Sequence, residues 1–581
     1  MSAPATQSAN KQKTPPQAQP RTITGAEAVI AALVEEGVDL IYGYPGGAIM
    51  PIYDALYDYQ DRVKHVLVRH EQGAVHAAQG YARVTGRVGV CFATSGPGAT
   101  NLITGIADAQ IDSTPLVCIT GQVASHLLGT DAFQETDVMG ISMPVTKWNY
   151  QITKASDIPA AIAKAFYIAK SGRPGPVLLD ITKDAQFNKL EYEYEPCTGI
   201  RSYNPVPKAR PDDIEAAAKL INGAKKPFIL VGHGVLLSGA QEEFKTFVEK
   251  TGIPAASTLL GLSAFPANHP LNVGYLGMHG NYGPNVKTNQ ADVIIAVGMR
   301  FDDRVTGNLS LYAKQAKIVH IEIDPSEIGK CVKADVAINA DAKEALTLLT
   351  SRVTANAHPS WLQEFHDCDA IELEKVIKKD FALPENSIKM ANVVQRISDK
   401  TKGEAIVVTD VGQHQMVVSR YYKFIGTDTN VTSGGLGTMG FALPAAIGAK
   451  MGQPDKEVVA VIGDGGFQMT LQELGTIFQE QTAVKIVLLN NNFLGMVRQW
   501  QQLFFDRRYS FVELKNPNFI KIADGFGITA RKVEHPSELD AAIDEMLAHT
   551  GPYFLEVVVE KEENVFPMVP TGASVADIRL E

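Results

Sequence analysis

Residues 457–491 read EVVAVIGDGGFQMTLQELGTIFQEQTAVKIVLLNN. An apolar run ends in Gly463-Asp464-Gly465-Gly466, a helix-like segment follows, and a second apolar run ends in Asn490-Asn491. Strand, helix, strand is the βαβ unit of a parallel sheet, and its right-handed crossover sets both strand C-termini on one edge. Asp464 and Asn491, 27 positions apart, converge there. A carboxylate at the tip of a buried strand needs a partner. Carboxylate and amide oxygens suit a hard cation such as Mg2+. The Gly-Gly turn lets backbone N–H groups approach an anion, and ligands of such sheets bind beyond the strand C-termini. The unit therefore predicts a metal ion holding a diphosphate. Alone, Gly-Asp-Gly is an ordinary turn and Asn-Asn an ordinary strand end; their joint spacing carries the reading.

The same alternation extends in both directions. HVLVRHEQGAVHAAQGYARVTG, VGVCFATSGPGATNLITGIADA and PLVCITG give strand–turn–helix units before residue 190. KPFILVGHGV, ADVIIAVGMRF and KIVHIEIDPSEIG give a second block, and EAIVVTDVGQ and YFLEVVVE complete a third. The fold class is α/β, with three doubly wound parallel-sheet domains in a row. The expected boundaries are a disordered tail over 1–21, then domains over 22–190, 205–355 and 388–575. A charged, Tyr- and Pro-rich linker (191–211) and a polar, mostly helical stretch (355–387) separate them.

A chain of 581 residues accommodates about three domains. The net charge of −11, without a long basic run, argues against nucleic acid or an anionic membrane as main partner. The five cysteines are scattered and form no Cys-x-x-Cys. That argues against a disulfide framework or a zinc cluster and fits a reducing, cytoplasmic setting. No run approaches about 18 apolar residues, so no membrane span is expected. The first 20 residues lack the hydrophobic centre of a secretory signal. No G-x-x-x-x-G-K-S/T phosphate loop occurs. GGLGTMG (434–440) has the spacing of a dinucleotide fingerprint, but it follows no clear strand-like run. Glu71, at the end of HVLVRHE, reads equally well as a glutamate favoured by a helix dipole.

Gly463-Asp464-Gly465 through Asn490-Asn491 resembles the diphosphate-binding motif of thiamine diphosphate enzymes. YPGGAIMPIYDAL, RHEQGAVHAAQGYAR, TSGPGATN, GTDAFQE, SGRPGPVLLDI, LGMHG, RFDDRVTG, GGLGTMGFALPAAIGA and NNNFLGMVRQW resemble the acetohydroxyacid synthase (acetolactate synthase) large catalytic subunit family, from about residue 22 to 575.

The resemblance implies a pyrimidine-binding domain, a central FAD-binding domain and a diphosphate-binding domain. It implies that Asp464, Asn491 and the backbone carbonyl of Phe493 hold Mg2+. Glu71 becomes the activating carboxylate, with Gln134 and Lys183 beside it as catalytic residues. Val411, Gly412, Gln413 and His414 match cofactor contacts, as do Gly437 and Met439. So do Gly463, Gly465 and Gly466, and Leu494, Gly495 and Met496. Flavin contacts carried over are Arg173, Gly232, Gly234, Gly277, Met278, His279, Arg300, Asp302, Arg304 and Asp324. Phe133, Met278, Arg304 and Trp500 match the substrate region. Without the resemblance, Arg304 reads as a surface arginine and Trp500 as partly buried packing.

The implied activity is decarboxylation of pyruvate and its ligation to a second 2-keto acid, pyruvate or 2-ketobutyrate, in branched-chain amino acid synthesis. The nearest rival is an FAD-dependent pyruvate oxidase; a non-catalytic relative is disfavoured because Glu71 and Asp464 are both present. The resemblance also implies a homodimer or homotetramer with interfacial active sites, and a separate regulatory small subunit. Three departures stand out: Ala124 and Thr182 where proline is common, and Phe493 where histidine is frequent.

Overall fold

The computed structural model describes residues 21–382 and 386–581. The expected tail lies outside the described residues, except that Arg21 opens a strand. That strand, β1 (Arg21–Thr24), is followed by β2 (Leu40–Gly43), β3 (Lys64–Leu67), β4 (Gly89–Ala93), β5 (Leu116–Gln122), β6 (Trp148–Ile152), β7 (Pro176–Thr182) and β8 (Lys189–Tyr192). β1 and β8 pair antiparallel, and β2 to β7 form a six-stranded parallel sheet ordered β3-β2-β4-β5-β7-β6. Its inner strands are buried throughout, so they read as continuous apolar runs. Side-chain alternation sends Phe92 and Leu179 to one helical layer and Cys91 and Leu178 to the other.

The central domain carries β9 (Pro227–Val231), β10 (Ala255–Ser257), β11 (Asn272–Tyr275), β12 (Val293–Val297), β13 (Lys317–Glu322) and β14 (Val336–Asn339). Their order is β11-β10-β9-β12-β13-β14, which reverses between β9 and β12. A doubly wound sheet binds ligands at such a switch point.

The third domain has β15 (Ile406–Thr409), β16 (Asn430–Thr432), β17 (Val458–Gly463), β18 (Lys485–Asn490), β19 (Thr529–Val533) and β20 (Tyr553–Val558), ordered β16-β15-β17-β18-β20-β19. β17 and β18 are parallel neighbours, as the opening stretch requires. The crossover is more broken than the sequence suggests. A helix starts at Asp464 itself, and a 3-10 turn, Leu471–Glu473, separates it from a second helix, Leu474–Glu480.

Domain contacts fix the frame. The helices Glu71–Thr85 and Ala442–Gly452 cross so closely that a Cβ on Gly80 would stand 2.9 Å from the Cα of Ala445. Within the stretch 355–387, the helix Pro359–Glu372 runs on through a π-turn, Leu373–Ile377. Glu372 meets Arg420 at 2.7 Å with both side chains buried, tying this stretch to the third domain. After β20 the chain returns to the central domain, where Val569 N–H donates to the Met278 carbonyl at 2.8 Å. Among the described residues, no helix is long and apolar enough to cross a membrane.

Candidate active site

Asp464 and Asn491 stand at the C-terminal ends of adjacent strands β17 and β18, both buried. Burial pushes the Asp464 carboxyl up to about 6, against the pull of an amide bond from Asn516. Phe493 N–H donates to Asn491 Oδ1 at 3.1 Å. The loop is pinned on its far side, where Leu494 N–H donates to Val512 and Leu514 N–H to Asn492, both at 2.8 Å. Phe493 lies opposite Glu513 between those two bonds. Its own carbonyl is left out of the pairing, and no N–H of the described residues reaches it. Carboxylate, amide oxygen and free carbonyl form a donor set that fits Mg2+. Among the described residues, no group of three or more His, Cys, Asp or Glu side chains is arranged for a metal. This site needs only one carboxylate.

The diphosphate side also fits. A Cβ on Gly495 would stand 2.2 Å from Gln413 Oε1 and 2.8 Å from Asn491 Nδ2, so only glycine lets those two side chains approach the backbone at this turn. Gln413 and His414 begin the helix Gln413–Tyr421 at the same edge and are buried. Burial pushes the His414 imidazole down to about 4, and its Nε2 has no partner within the chain.

Glu71 is buried at the first position of its helix, and Asn101 Nδ2 donates to its Oε2 at 2.9 Å. Gln134, at φ 60°, packs its backbone against Gly96, beside the start of the helix Pro97–Ile111 that carries Asn101. Phe133 is 88% exposed. Lys183, also exposed, opens the short helix after β7. Two departures from the resemblance are harmless to the backbone. Thr182 takes φ −64° and Ala124 φ −61°, the value to which proline is locked. At the third, the Phe493 ring lies under the Lys561 ammonium.

A cavity of about 700 Å³ opens where the central and third domains meet, against the first. Its walls include Arg173, Gly234, Gly277, Met278, His279, Arg300, Asp302 and Arg304 from the flavin and substrate set. They also include Val411, Gly412, Gly437, Met439, Met496 and Trp500 from the third domain. The cavity spans the β9/β12 switch point, and Arg173 and Arg300 suit a pyrophosphate. Burial pushes His279 down to about 4, so that wall is uncharged there. Two flavin candidates fall outside the walls. Gly232 is packed against Met299, and Asp324 instead accepts from Arg173 at 3.3 Å. Glu322, the last residue of β13, lines the cavity in its place, its carboxyl pushed up to about 7 by burial.

The walls do not include Glu71, Phe133, Gln134 or Lys183, nor Asp464, Asn491 or Phe493. The cation set nevertheless adjoins the wall, since a Cβ on Gly465 would stand 3.6 Å from the Met439 methyl and Met496 follows Gly495, which packs on Asn491.

The GGLGTMG loop does follow a strand, the three-residue β16, unlike the sequence expectation. It is still no phosphate cradle. The N–H groups of Gly434 and Gly435 are taken by the Asp112 carboxylate at 2.9 and 2.7 Å, and those of Gly440 and Ala442 by Asp410 at 3.0 Å. Arg83 bonds Asp112 at 2.7 Å and the Thr432 carbonyl at 2.6 Å, clamping the loop to the first domain. Sequence reasoning missed Asp112, Asp410, Arg83 and Asn516. Asp410 had a signal, since it ends the strand-like VVTD as Asp464 ends VIGD. The other three act across long sequence separations and had none.

Comparison with known proteins follows the three sheets in order. Residues 23–141 match the thiamine pyrophosphate enzyme N-terminal TPP binding domain, 214–349 the central domain and 410–557 the C-terminal TPP binding domain. The chain is 47% identical over 574 residues to the acetolactate synthase large subunit of Corynebacterium glutamicum, covering 97% of this chain and 91% of the relative. It is 46% identical to the acetolactate synthase isozyme 2 large subunit of Escherichia coli over 95% of this chain and 98% of the relative. Against the acetolactate synthase large subunit of Lactococcus lactis it is 44% identical over 94% and 95%. With three domain matches in register with three parallel sheets, and such identity over nearly its whole length, the chain belongs to the acetolactate synthase large-subunit family of thiamine pyrophosphate enzymes.

Proposed function

We propose that the chain is the catalytic subunit of an acetolactate synthase, decarboxylating pyruvate and ligating the remaining two-carbon unit to pyruvate or 2-ketobutyrate. When bound, thiamine diphosphate supplies a nucleophilic carbon and an electron sink. Asp464, Asn491 and the Phe493 carbonyl hold Mg2+ and, through it, the diphosphate. Glu71 is oriented by Asn101, leaving Oε1 to exchange a proton with the cofactor's pyrimidine ring. Met439 supports the cofactor from the cavity wall. Arg304 offers its guanidinium to the carboxylate of the second keto acid, a pairing that can be bidentate. Trp500 lines the same cavity, and its ring gives apolar area to the extra methylene of 2-ketobutyrate. FAD takes the central-domain part of the cavity without entering the net reaction.

The observation that carries this reading is the meeting of Met278, Arg304, Met439 and Trp500, from two domains, in one cavity wall. Glu71, Phe133, Gln134 and Lys183 are absent from that wall, so the site is completed by a second copy of the chain. Phe133, Tyr57 and Phe511, exposed at 88%, 74% and 99%, support such an association. The relatives' names specify large subunits, which supports a separate small subunit as partner. Five free cysteines support a reducing, cytoplasmic setting.

The test is pyruvate turnover with thiamine diphosphate, Mg2+ and FAD, following acetolactate, CO2 and O2 together. One acetolactate per two pyruvates, with O2 uptake negligible beside CO2 release, is expected. Acetate or acetyl phosphate with matching O2 uptake would replace the ligase by an oxidase.

A further inference from the structure

One side chain touches both of the strand ends that carry the cation donors. Asn516 Nδ2 stands 2.6 Å from Asp464 Oδ2, 3.0 Å from Asn490 Oδ1 and 3.2 Å from Asn492 Oδ1. Its own Oδ1 accepts from Gln468 Nε2 at 3.0 Å. Three oxygens around the nitrogen and a donor facing the oxygen decide which way the amide points. An amide has two hydrogens, so at most two of the three contacts are full bonds, and the shortest goes to the carboxylate. Among the described residues, no other side chain donates to the Asp464 carboxylate, which is otherwise faced by the backbone N–H groups of Asp464, Gly465 and Asn492; Gln468 donates to the Asp464 backbone carbonyl at 3.1 Å. Asn492 takes φ 55°, an uncommon conformation for a residue other than glycine, in the turn that Asn516 grips.

We infer that Asn516 is a positioning residue of the cation site: its amide holds Asp464 Oδ2, leaving Oδ1 for the cation, and ties the start of the helix after β17 to the turn after β18. This rests on the reading of Asp464 and Asn491 as cation ligands. Asn516 itself touches no cation in this role. The role needs a donor. An aspartate would put a second negative charge against Asp464, and an alanine would take from Oδ2 its one side-chain donor and untie the helix start from the turn after β18.

The experiment is calorimetric titration of thiamine diphosphate into the metal-stripped full-length protein across a series of Mg2+ concentrations. It is done for wild type, Asn516→Ala, Asn516→Asp and Asp464→Ala. A hydrogen bond to a charged group sets the scale. The Mg2+ concentration for half-maximal cofactor retention should rise about tenfold to a hundredfold in Asn516→Ala. It should rise further in Asn516→Asp. At saturating Mg2+ the KM for pyruvate in Asn516→Ala should stay at the wild-type value, which a general loosening of the fold would not allow. An unchanged Mg2+ requirement in Asn516→Ala, with retention abolished in Asp464→Ala, overturns the positioning role and leaves the cation reading standing. Wild-type retention in Asp464→Ala overturns the cation reading and this inference with it. Where Asn516→Ala yields no folded protein, Asn516→Asp decides on the same readout, since it keeps the side chain's size and removes the donor.

Discussion

The first and third sheets share one strand order. Numbered within each domain, both run 2-1-3-4-6-5. Each buries an aspartate near a strand end, and burial pushes both carboxyls up to about 6. Their surroundings differ. Asp180 in β7 accepts from Thr120 at 2.6 Å and from Gln122 and Gln151 at 3.0 Å each. The Asp464 carboxylate has, among the described residues, Asn516 as its single side-chain donor. Three side-chain donors tie the Asp180 carboxyl into its own sheet, whereas the Asp464 carboxyl has one and stands beside an amide and a carbonyl that no N–H reaches. The same topology therefore surrounds one aspartate with side-chain donors from its own sheet and leaves the other with a single one, which is the contrast on which the proposed cation site rests.

The largest effect should come from a third carboxylate, placed after an edge strand of the first sheet. Glu71→Gln keeps the shape and the Asn101 contact region but removes the charge. Turnover should fall about a hundredfold to ten-thousandfold with thiamine diphosphate affinity within a few-fold of wild type, measured as kcat and by titration. Near wild-type kcat would remove Glu71 from the chemistry.

The contrast between the two aspartates is sharpened by substituting both. Asp464→Ala should weaken Mg2+-dependent cofactor retention by more than about tenfold. Asp180→Asn should leave retention within about twofold, because its donors all come from its own domain. Equal losses in the two variants would break the distinction.

What was legible in the sequence was whatever local pattern encodes. Apolar runs ending in glycine turns gave the three parallel sheets, because strands buried on both faces must be apolar throughout. Asp464 and Asn491 were legible because a βαβ crossover fixes which strand ends meet. The helix start at Asp464 was displaced in the reading, since GDGG looks like turn until the structure shows it helical. Asn516 was not legible. It lies 52 residues from Asp464, and a lone Asn-Pro carries no periodicity. Nor was the choice of Glu322 over Asp324 at the cavity, which depends on where β13 ends.

The smallest effect tests Asp180 as a structural group through pH. Its folded pKa, about 6, lies above the ordinary aspartate value, because burial disfavours the charged form more than Thr120, Gln151 and Gln122 restore it. A raised pKa means the folded state binds the proton more tightly than the unfolded state. The stability it contributes is fully present below about pH 4 and is lost as pH rises through about 6. A shift of this size corresponds to roughly 3 kcal/mol at most for one group. Other buried carboxylates titrate in the same window, so the informative quantity is the difference in slope between wild type and Asp180→Asn. Denaturant midpoints measured from pH 4 to 7 should fall less steeply in the variant. Parallel slopes would mean that Asp180 enters the unfolded state with its pKa unchanged, and that its three donors compensate burial in full.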